Sequence, residues 1–183
     1  MAIELIVGLG NPGDDYQKHR HNVGFLFIDK LSQNFKLEKK FFGETSFYKQ
    51  TRLLKPTTFM NKSGLSVQAM VNFFKLKPEQ ILVVHDELDL ESGVVKLKKS
   101  GGHGGHNGLR DIIKAIGSKD FYRLRIGIGH PGASHLVSDY VLHKPSKNEL
   151  ENIETAMDKS FNVLDKIIAG EFDIAMQNLH TGK

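Results

Sequence analysis

A chain of 183 residues with 39% hydrophobic content is long and apolar enough to form one domain, residues 1–183, around its own core. No cysteine occurs, which excludes disulfides and thiolate chemistry and suits a cytoplasmic protein. No signal peptide is found, and no apolar run approaches the roughly 18–20 residues that a membrane span needs. We therefore expect a cytoplasmic protein with no membrane partner.

The net charge of +4 is unevenly distributed along the chain. The part before Glu149 holds 22 basic and 14 acidic residues, a balance of +8, whereas the part from Glu149 onward holds 3 basic and 7 acidic residues, a balance of −4. A basic surface on the first four fifths of the chain predicts a polyanionic partner. A solvated, lysine-rich surface without a partner fits the same charge pattern equally well.

The first predicted element is a short apolar strand at Ile3–Leu9, buried on both faces and therefore inside a sheet. Gly8–Gly13 follows with the G-x-G-x-x-G pattern of dinucleotide-binding folds, which leaves an NAD- or NADP-dependent oxidoreductase as an alternative. Two observations argue against this alternative. Pro12 disfavours a helical conformation of Asn11, and the next helical pattern begins only with Val23–Phe35. The basic segment Lys36–Lys40 also stands where that fold has its second strand and acidic residue.

A polar loop, Tyr16–Asn22, separates the first strand from this helix, with Asn22 as a plausible N-cap. His21 then lies near the carboxyl end of the first strand, where open α/β sheets bind their ligands. His21 is therefore a candidate functional residue. A merely solvated loop histidine is the alternative.

Thr45–Leu54 alternates in polarity and predicts a second strand, ended by Lys55-Pro56. A helix is predicted over Leu65–Phe74. Between them, Phe59 and Met60 are typical of core residues, and Asn61 is typical of a helix cap. The predicted apolar face of the helix consists of Leu65, Val67, Ala69, Met70, Phe73 and Phe74.

A third strand, Ile81–Val84, runs directly into the acidic segment His85–Asp89. A carboxylate at the end of a buried strand is costly unless it is paired or hydrogen-bonded. Such a carboxylate can orient a histidine and stabilise the imidazolium ion. Asp86, nearest the strand, is the candidate over Glu87 and Asp89, with an acid that caps a turn as the alternative.

Two further strands carry basic residues on one face. Val94–Lys99 and Phe121–Gly129 have strand periodicity, which leaves Leu124, Ile126 and Ile128 for the core. Such paired basic side chains can seat phosphates, although solvated strand faces would look similar. The four basic residues are Lys96, Lys98, Arg123 and Arg125.

Between these strands lies Gly101–Gly108, which contains five glycines, two histidines and an asparagine and is followed by a helix over Leu109–Ile116. The glycines allow the backbone to approach a ligand closely. Glycine-rich linkers usually carry serine rather than paired histidines, so we favour a ligand-contacting loop over a linker.

The last part of the chain is predicted to be helical. Val137–Leu142 forms a short connection, a long helix covers Lys147–Ala169, and a short helix covers Phe172–Leu179, after which the last residues are expected to fray. The predicted core positions of the long helix are Ile153, Met157, Phe161, Leu164 and Ile168.

Together, six motifs in one order resemble a known family. They are Gly-Leu-Gly-Asn-Pro-Gly at 8–13, Arg-His-Asn at 20–22, Pro-Thr-Thr-Phe-Met-Asn-Lys-Ser-Gly at 56–64, His-Asp-Glu-Leu-Asp at 85–89, Gly-Gly-His-Gly-Gly-His-Asn-Gly at 101–108 and Arg-Leu-Arg-Ile-Gly-Ile-Gly-His-Pro at 123–131. The chain resembles the bacterial peptidyl-tRNA hydrolases, monomeric cytoplasmic esterases that release peptides from prematurely dropped tRNAs. The resemblance covers Ile3 to about Pro145 and implies a single-domain, three-layer α/β fold with a central mixed, mostly parallel twisted sheet flanked by helices.

The resemblance also implies roles for individual residues. His21 matches the base that activates water, Asp86 matches the acid that stabilises it, and Asn11 matches the residue that separates N-blocked peptidyl esters from free aminoacyl esters. Lys98 and Arg125 match a pair that clamps the tRNA 5′ phosphate, with electrostatic help from Lys96 and Arg123. The segment around 137–144 resembles a lid at the rim of the cleft. The matching substrate contacts and lining residues are Tyr16, Phe59, Met60, Asn61, His106 and Asn107.

The implied partner is peptidyl-tRNA, through its acceptor stem, 3′ end and 5′ phosphate, with no obligate protein partner. Attack by water needs no metal and no cofactor, and no Gly-x-Ser-x-Gly or His-Glu-x-x-His motif is encoded. A non-catalytic RNA-binding module remains as an alternative from the basic strands alone.

Overall fold

The structure, a computed structural model, describes residues 1–181 and is built on one seven-stranded sheet in the order β2-β3-β4-β1-β5-β7-β6. The neighbouring strands β4, β1, β5 and β7 are parallel, and β2, β3 and β6 pair antiparallel at the two edges. This arrangement confirms the predicted mixed sheet. The strands are β1 Leu5–Gly8, β2 Lys36–Glu38, β3 Gly43–Tyr48, β4 Thr51–Pro56, β5 Ile81–Glu87, β6 Val95–Lys99 and β7 Tyr122–Gly127.

Helices cover both faces of the sheet and complete the three layers. Strand β1 shows why both faces need cover: Ile6 packs into one apolar cluster with α1, α5 and α6, whereas Leu5 and Val7 pack into the other with α2 and α3. No helix among residues 1–181 is long and apolar enough to cross a membrane. The helices are α1 Val23–Asp29, α2 Ser63–Phe74, α3 Asn107–Ile116, α4 Val137–Val141, α5 Lys147–Ile168 and α6 Phe172–Thr181.

Helix α1 does not begin inside the Gly8–Gly13 motif, as a dinucleotide-binding fold would require. The motif is followed by a short 3-10 turn at Asp14–Tyr16, and α1 begins only at Val23. The helix N-terminus that would meet a pyrophosphate is therefore missing from the motif, which argues against the dinucleotide alternative.

Two glycines, Gly8 at the start of the motif and Gly24 in α1, allow α1 to pack closely on the sheet. A Cβ atom on Gly24 would lie 2.5 Å from the Leu9 nitrogen, 2.5 Å from the Val84 oxygen and 2.6 Å from the Leu9 oxygen, and one on Gly8 would overlap the Gly24 carbonyl oxygen and Ile28. Backbone atoms cannot move aside cheaply. The close packing of α1 over β1 and β5 therefore depends on both glycines.

We expect Gly24→Ala to lower the free energy of unfolding by about 1–3 kcal/mol, because the methyl group would have to displace α1 from the sheet. Urea denaturation followed by circular dichroism measures the change. Gly102→Ala is the matched control, since nothing lies within 4 Å of a Cβ at Gly102. Equal stability of the two variants would contradict this account of the packing.

Three predicted elements differ from the structure. Helix α1 ends at Asp29, six residues earlier than predicted, and Lys36–Lys40 contains the short edge strand β2. The single strand predicted over Thr45–Leu54 is a hairpin of β3 and β4, whose turn places Lys49 at φ 54°. The turn lacks glycine, proline and asparagine, so the sequence did not mark it.

The predicted apolar face of α2 is also partly wrong. Val67 and Met70 are buried, but Leu65 and Phe73 are 43% and 57% exposed. Helix α2 instead contacts α3 closely at Gly64, where a Cβ atom would overlap the Asp111 carbonyl oxygen. The Gly64 nitrogen also donates a hydrogen bond of 2.7 Å to Asp111 Oδ2.

The C-terminal helices lie close to their predicted bounds. Ser146 and Glu149 form a capping box at the start of α5. Ile153, Met157 and Leu164 are buried as predicted, whereas Ile167 is buried in place of Ile168, and Phe161 is partly buried. The expected fraying concerns the end of the chain, where residues 182–183 lie outside the described part.

Candidate active site

A cleft of about 390 Å³ opens where β1 and β5 end and α3 begins. Parallel strands present their carboxyl ends at one edge of the sheet, so loops that follow them converge there. Eight of the predicted site residues line this cleft: Asn11, His21, Phe59, Met60, Asn61, Asp86, His106 and Asn107.

Asp86, at the end of β5, is the centre of the cleft. The Asp86 carboxylate is buried and bonded on both oxygens, with Oδ2 at 2.8 Å from His21 Nδ1 and Oδ1 at 2.7 Å from His106 Nε2. Burial by itself raises the pKa of Asp86, but its interactions with the two histidines outweigh burial and hold that pKa well below its usual range. Asp86 is therefore a carboxylate that accepts hydrogen bonds from two imidazoles.

The first turn of α3 sets the tautomer of His106. His106 Nδ1 accepts hydrogen bonds from the backbone nitrogens of Gly108 at 3.1 Å and Leu109 at 3.3 Å, so it caps the helix and carries no proton. The ring proton consequently lies on Nε2 and points at Asp86. His106 thus occupies one oxygen of Asp86 as a fixed donor.

His21 lies in a 3-10 turn, Arg20–Asn22, directly before α1. Because His21 Nδ1 donates its proton to Asp86, the lone pair of the neutral ring lies on Nε2. Burial lowers the pKa of His21, but the charge and hydrogen bond of Asp86 outweigh it and the net pKa is raised. The arrangement provides an oriented imidazole base.

The ligand atoms of His21, Asp86 and His106 lie within 4.8 Å of one another, a spacing that a metal ion also accepts. The hydrogen bonds favour protons, because a metal would have to remove the proton from each ring nitrogen that faces Asp86. His106 could not take its proton back on Nδ1, which already accepts two backbone hydrogen bonds. That the site needs no metal stays a prediction.

Asn11 follows β1 and is held by three hydrogen bonds. Its Oδ1 accepts a hydrogen bond of 2.7 Å from the Met60 nitrogen, and its backbone exchanges hydrogen bonds of 2.9 Å and 2.8 Å with the Asn22 side chain. Asn22 occupies the predicted N-cap position of α1, but its side chain makes no cap hydrogen bond and instead fixes Asn11. Since Asn11 Oδ1 is occupied, its amide nitrogen is the group left to donate into the cleft.

Aromatic and amide side chains form the rim beside this centre. Phe59 is 54% exposed and packs edge-on against Tyr16, with ring centroids 6.0 Å apart; Tyr16 does not line the cleft itself. Asn61 is exposed in a 3-10 turn and does not cap α2, which Lys62 precedes, so the helix-cap interpretation is wrong. Asn107 Oδ1 accepts from Arg110 at 3.3 Å, which leaves its amide nitrogen as a donor.

Three of the four predicted basic residues, Lys98, Arg123 and Arg125, line a second depression of about 290 Å³ that adjoins the main cleft at the glycine-rich loop. Lys98 is exposed and Arg125 is partly buried. Arg123 is only 2% exposed, and its guanidinium donates to the carbonyl oxygens of Gly101, Gly102 and Lys119. The side chain of Arg123 therefore fixes the start of the glycine-rich loop, and the expected electrostatic help from Arg123 stays a prediction.

The structure adds site residues that the sequence analysis did not select. His85 is buried, donates from Nδ1 to the Asp86 backbone oxygen at 2.8 Å, and has a pKa that burial lowers to about 4. His103 and Glu87 line both the cleft and the basic depression. Their signals were present, since His85 and Glu87 flank Asp86 and His103 lies in the glycine-rich loop.

Helix α4 forms the remaining wall of the cleft, within the segment expected to be a lid. Val137 and Val141 line the cleft. Arg20, next to His21, donates to the Tyr140 carbonyl oxygen at 3.0 Å and stacks its guanidinium 3.8 Å from the Tyr140 ring centroid. It also pairs with Glu149 at 3.3 Å, which ties the His21 turn to α4 and α5.

The α/β sheet, with an imidazole held by a buried carboxylate in a cleft at its carboxyl edge, fits an enzyme that works by acid–base chemistry. Comparison with known proteins narrows this class: residues 5–183 match the peptidyl-tRNA hydrolase family, and the chain belongs to it. The family consists of enzymes that hydrolyse a carboxylic ester, and peptidyl-tRNA is its substrate.

The sequences of individual relatives align with nearly the whole chain. It is 53% identical to the peptidyl-tRNA hydrolase of Ruthia magnifica over 189 residues, covering 99% of both chains, and 52% identical to that of Pseudomonas putida over 191 residues, covering 100% of this chain and 98% of the other. The crystal structure of the Acinetobacter baumannii peptidyl-tRNA hydrolase superimposes with a TM-score of 0.93 at 44% identity, over 98% of this chain and 95% of that one.

Proposed function

We propose that the enzyme cleaves the ester bond between the peptide C-terminus and the 3′ ribose of peptidyl-tRNA, with His21 as the general base. The observation that carries this proposal is the 2.8 Å hydrogen bond between His21 Nδ1 and Asp86 Oδ2, which directs the Nε2 lone pair away from the carboxylate. A base oriented in this way typically contributes about 10²–10⁴ in rate.

The reaction follows from this orientation. His21 Nε2 takes a proton from water as the water oxygen attacks the ester carbonyl, and Asp86 stabilises the imidazolium ion that forms. The tetrahedral intermediate then collapses, and the imidazolium returns its proton to the departing 3′ oxygen of the ribose. Neither a covalent enzyme intermediate nor a cofactor is needed for these steps.

His106 supports the base indirectly in this proposal. Since its Nε2 proton always faces Asp86 Oδ1, only Oδ2 is available to His21, and the carboxylate cannot rotate without losing a hydrogen bond. Asp86 is thus held in one orientation, and through it His21. We assign His106 a positioning role that adds to its place in the cleft wall.

The amides of Asn11, Asn61 and Asn107 are proposed to bind the peptide end of the substrate. Amide donors can stabilise the oxyanion that develops on the carbonyl, an effect of about 3–4 kcal/mol per donor where it has been measured. Because these amide donors are neutral, they suit a site that must hold peptides of any sequence through their backbone groups. Asn11 is proposed to separate N-blocked esters from free aminoacyl esters, since its amide nitrogen is the group that remains free to bind a carbonyl.

The RNA is proposed to extend from the cleft to the basic depression. Phe59 and Tyr16 supply aromatic faces for the 3′ end. Lys98 and Arg125 clamp the 5′ phosphate of the acceptor stem, with Lys96 nearby in the sheet register. We further propose that the enzyme acts in the cytoplasm as a monomer, with no obligate protein partner and no cofactor.

Hydrolysis of N-acetyl-aminoacyl-tRNA tests this function, with unblocked aminoacyl-tRNA as the comparison and EDTA present throughout. We expect release of tRNA from the blocked ester alone, because only a peptide-like amide satisfies the amide donors. Binding of tRNA without hydrolysis would instead support the RNA-binding alternative, and loss of activity in EDTA would contradict the proposed metal-free mechanism.

For the clamp, we expect Lys98→Ala combined with Arg125→Ala to raise KM for peptidyl-tRNA about tenfold or more and to flatten its salt dependence, since two phosphate contacts disappear. The kcat for a short nucleotide ester without a 5′ stem should change little. Lys99→Ala is the control, because it removes one cation from the same strand on the opposite face. A loss of kcat on the short ester would argue against the clamp.

A further inference from the structure

The guanidinium of Arg125 is already paired. Its Nε donates a hydrogen bond of 2.9 Å to Glu87 Oε1, and the two side chains are 21% and 19% exposed. Glu87 stands at the end of β5, beside β7, and lines both the catalytic cleft and the basic depression. A phosphate that binds Arg125 therefore has to share the guanidinium with this carboxylate or displace it from Nε.

The other cations of the depression do not offer the same fork of donors. Both terminal nitrogens of Arg123 donate to backbone carbonyl oxygens, and Lys98 is a point charge. Burial by itself raises the pKa of Glu87, but the hydrogen bond from Arg125 and the neighbouring charges outweigh it, so the pKa is lowered and Glu87 is ionised at neutral pH. The pair is therefore an ionised carboxylate hydrogen-bonded to Nε of Arg125 at the wall of the depression.

We propose that Glu87 is a resident counter-ion that the terminal phosphate of tRNA displaces from Arg125, so that the clamp exchanges one anion for another. This inference rests on the clamp described under Proposed function. In this role Glu87 acts on phosphate binding rather than on the ester bond. It sets how tightly the clamp holds a 5′ phosphate.

The physical reason is the difference in charge between the two anions. A terminal phosphate carries about −1.5 to −2 charges near neutral pH and three acceptor oxygens, against one charge on a carboxylate. It can therefore replace Glu87 on Arg125, with Lys98 completing the contact. Without RNA, the carboxylate offsets the cost of leaving a partly buried guanidinium unpaired.

The exchange also limits the affinity for the product. Deacylated tRNA carries the same 5′ phosphate as the substrate, so an unopposed clamp would hold both equally and slow product release. A phosphate that binds Arg125 must break the ion pair between Arg125 and Glu87. The affinity is lowered for substrate and product alike, and the product leaves faster.

The test compares the dissociation constants of two RNA hairpins with the sequence of a tRNA acceptor stem, one with a 5′ monophosphate and one with a 5′ hydroxyl group. We expect wild-type enzyme to prefer the phosphorylated hairpin. Glu87→Gln should increase this preference about fivefold, because the amide no longer competes for Arg125 as an anion. The hydroxyl hairpin should bind both enzymes with similar affinity.

Asp89→Asn is the matched control, since Asp89 lines the same depression and its carboxylate makes no ion pair with Arg125 among the described residues. It should leave the preference for the phosphate within about twofold of wild type. If Glu87→Gln strengthens binding of both hairpins equally, or leaves the preference unchanged, the counter-ion role is wrong. If wild-type enzyme itself shows no preference, the clamp is wrong as well. Thermal melting verifies that each variant is folded.

Discussion

His21→Ala is expected to lower the rate of peptidyl-tRNA hydrolysis by at least about 10²–10⁴, the contribution that a positioned general base typically makes. The variant keeps the amide donors, the aromatic rim and the basic depression, so its affinity for deacylated tRNA should stay within about twofold of wild type. Single-turnover hydrolysis and filter binding, run on the same preparation, measure the two quantities separately.

His19→Ala is the control for this variant. His19 lies two residues away, packs against Tyr16 and does not line the cleft, so its loss should leave the chemical step nearly intact. The proposal for His21 fails if His21→Ala retains most of the turnover. A parallel loss of tRNA binding and hydrolysis would instead indicate a collapsed cleft.

The second large effect is expected for Asp86→Asn, which keeps the volume of the side chain. Because His106 always presents its Nε2 proton, the new amide must turn its oxygen toward His106 and its nitrogen toward His21. His21 Nδ1 then has to accept a hydrogen bond, and the ring proton moves to Nε2. The base is left in the wrong tautomer, and we expect the rate to fall about 10²-fold or more.

The pH profile separates this effect from a structural one. In wild type, the net effect of burial and Asp86 raises the pKa of His21, so the acidic limb of kcat/KM should lie above the ordinary value of 6.5. Without the carboxylate the pKa of His21 falls, and the limb should shift to lower pH while the plateau decreases. An unchanged limb would show that Asp86 does not act on the base.

Asp86→Asn also makes the role of His106 measurable. Replacing His106 with alanine in the same variant removes the donor that fixes the amide, so the amide can rotate and present its oxygen to His21. We expect part of the lost rate to return in the double variant. Additive losses would mean that His106 acts independently of the orientation of residue 86.

Much of the fold and the identity of the site could be predicted from the sequence. The buried strands β1 and β5 read as apolar runs, and the helix α3 follows a loop whose five glycines mark it clearly. Asp86 was selected because a carboxylate at the end of a buried strand needs a partner. These features depend on residues that are neighbours in the chain, where periodicity and composition are direct signals.

The sequence predictions were wrong where the burial of a residue depends on which element packs against it. Phe73 has helical spacing with the core residues of α2, yet it is 57% exposed, whereas α2 contacts α3 through Gly64. Arg123 alternates with core residues as Arg125 does, yet it is buried beneath the glycine-rich loop. Periodicity reports the face of an element and not what covers that face.

By itself, then, the sequence determined the local elements and the chemical groups available: an imidazole, a carboxylate and several amides, without a thiol. Only the tertiary structure decided that His21 meets Asp86 from 65 positions away in the chain, that His106 shares the same carboxylate and that Arg125 is paired with Glu87. The reason is that the order of strands in the sheet brings distant segments to one edge, and a hydrogen bond depends on that spatial arrangement rather than on distance along the chain.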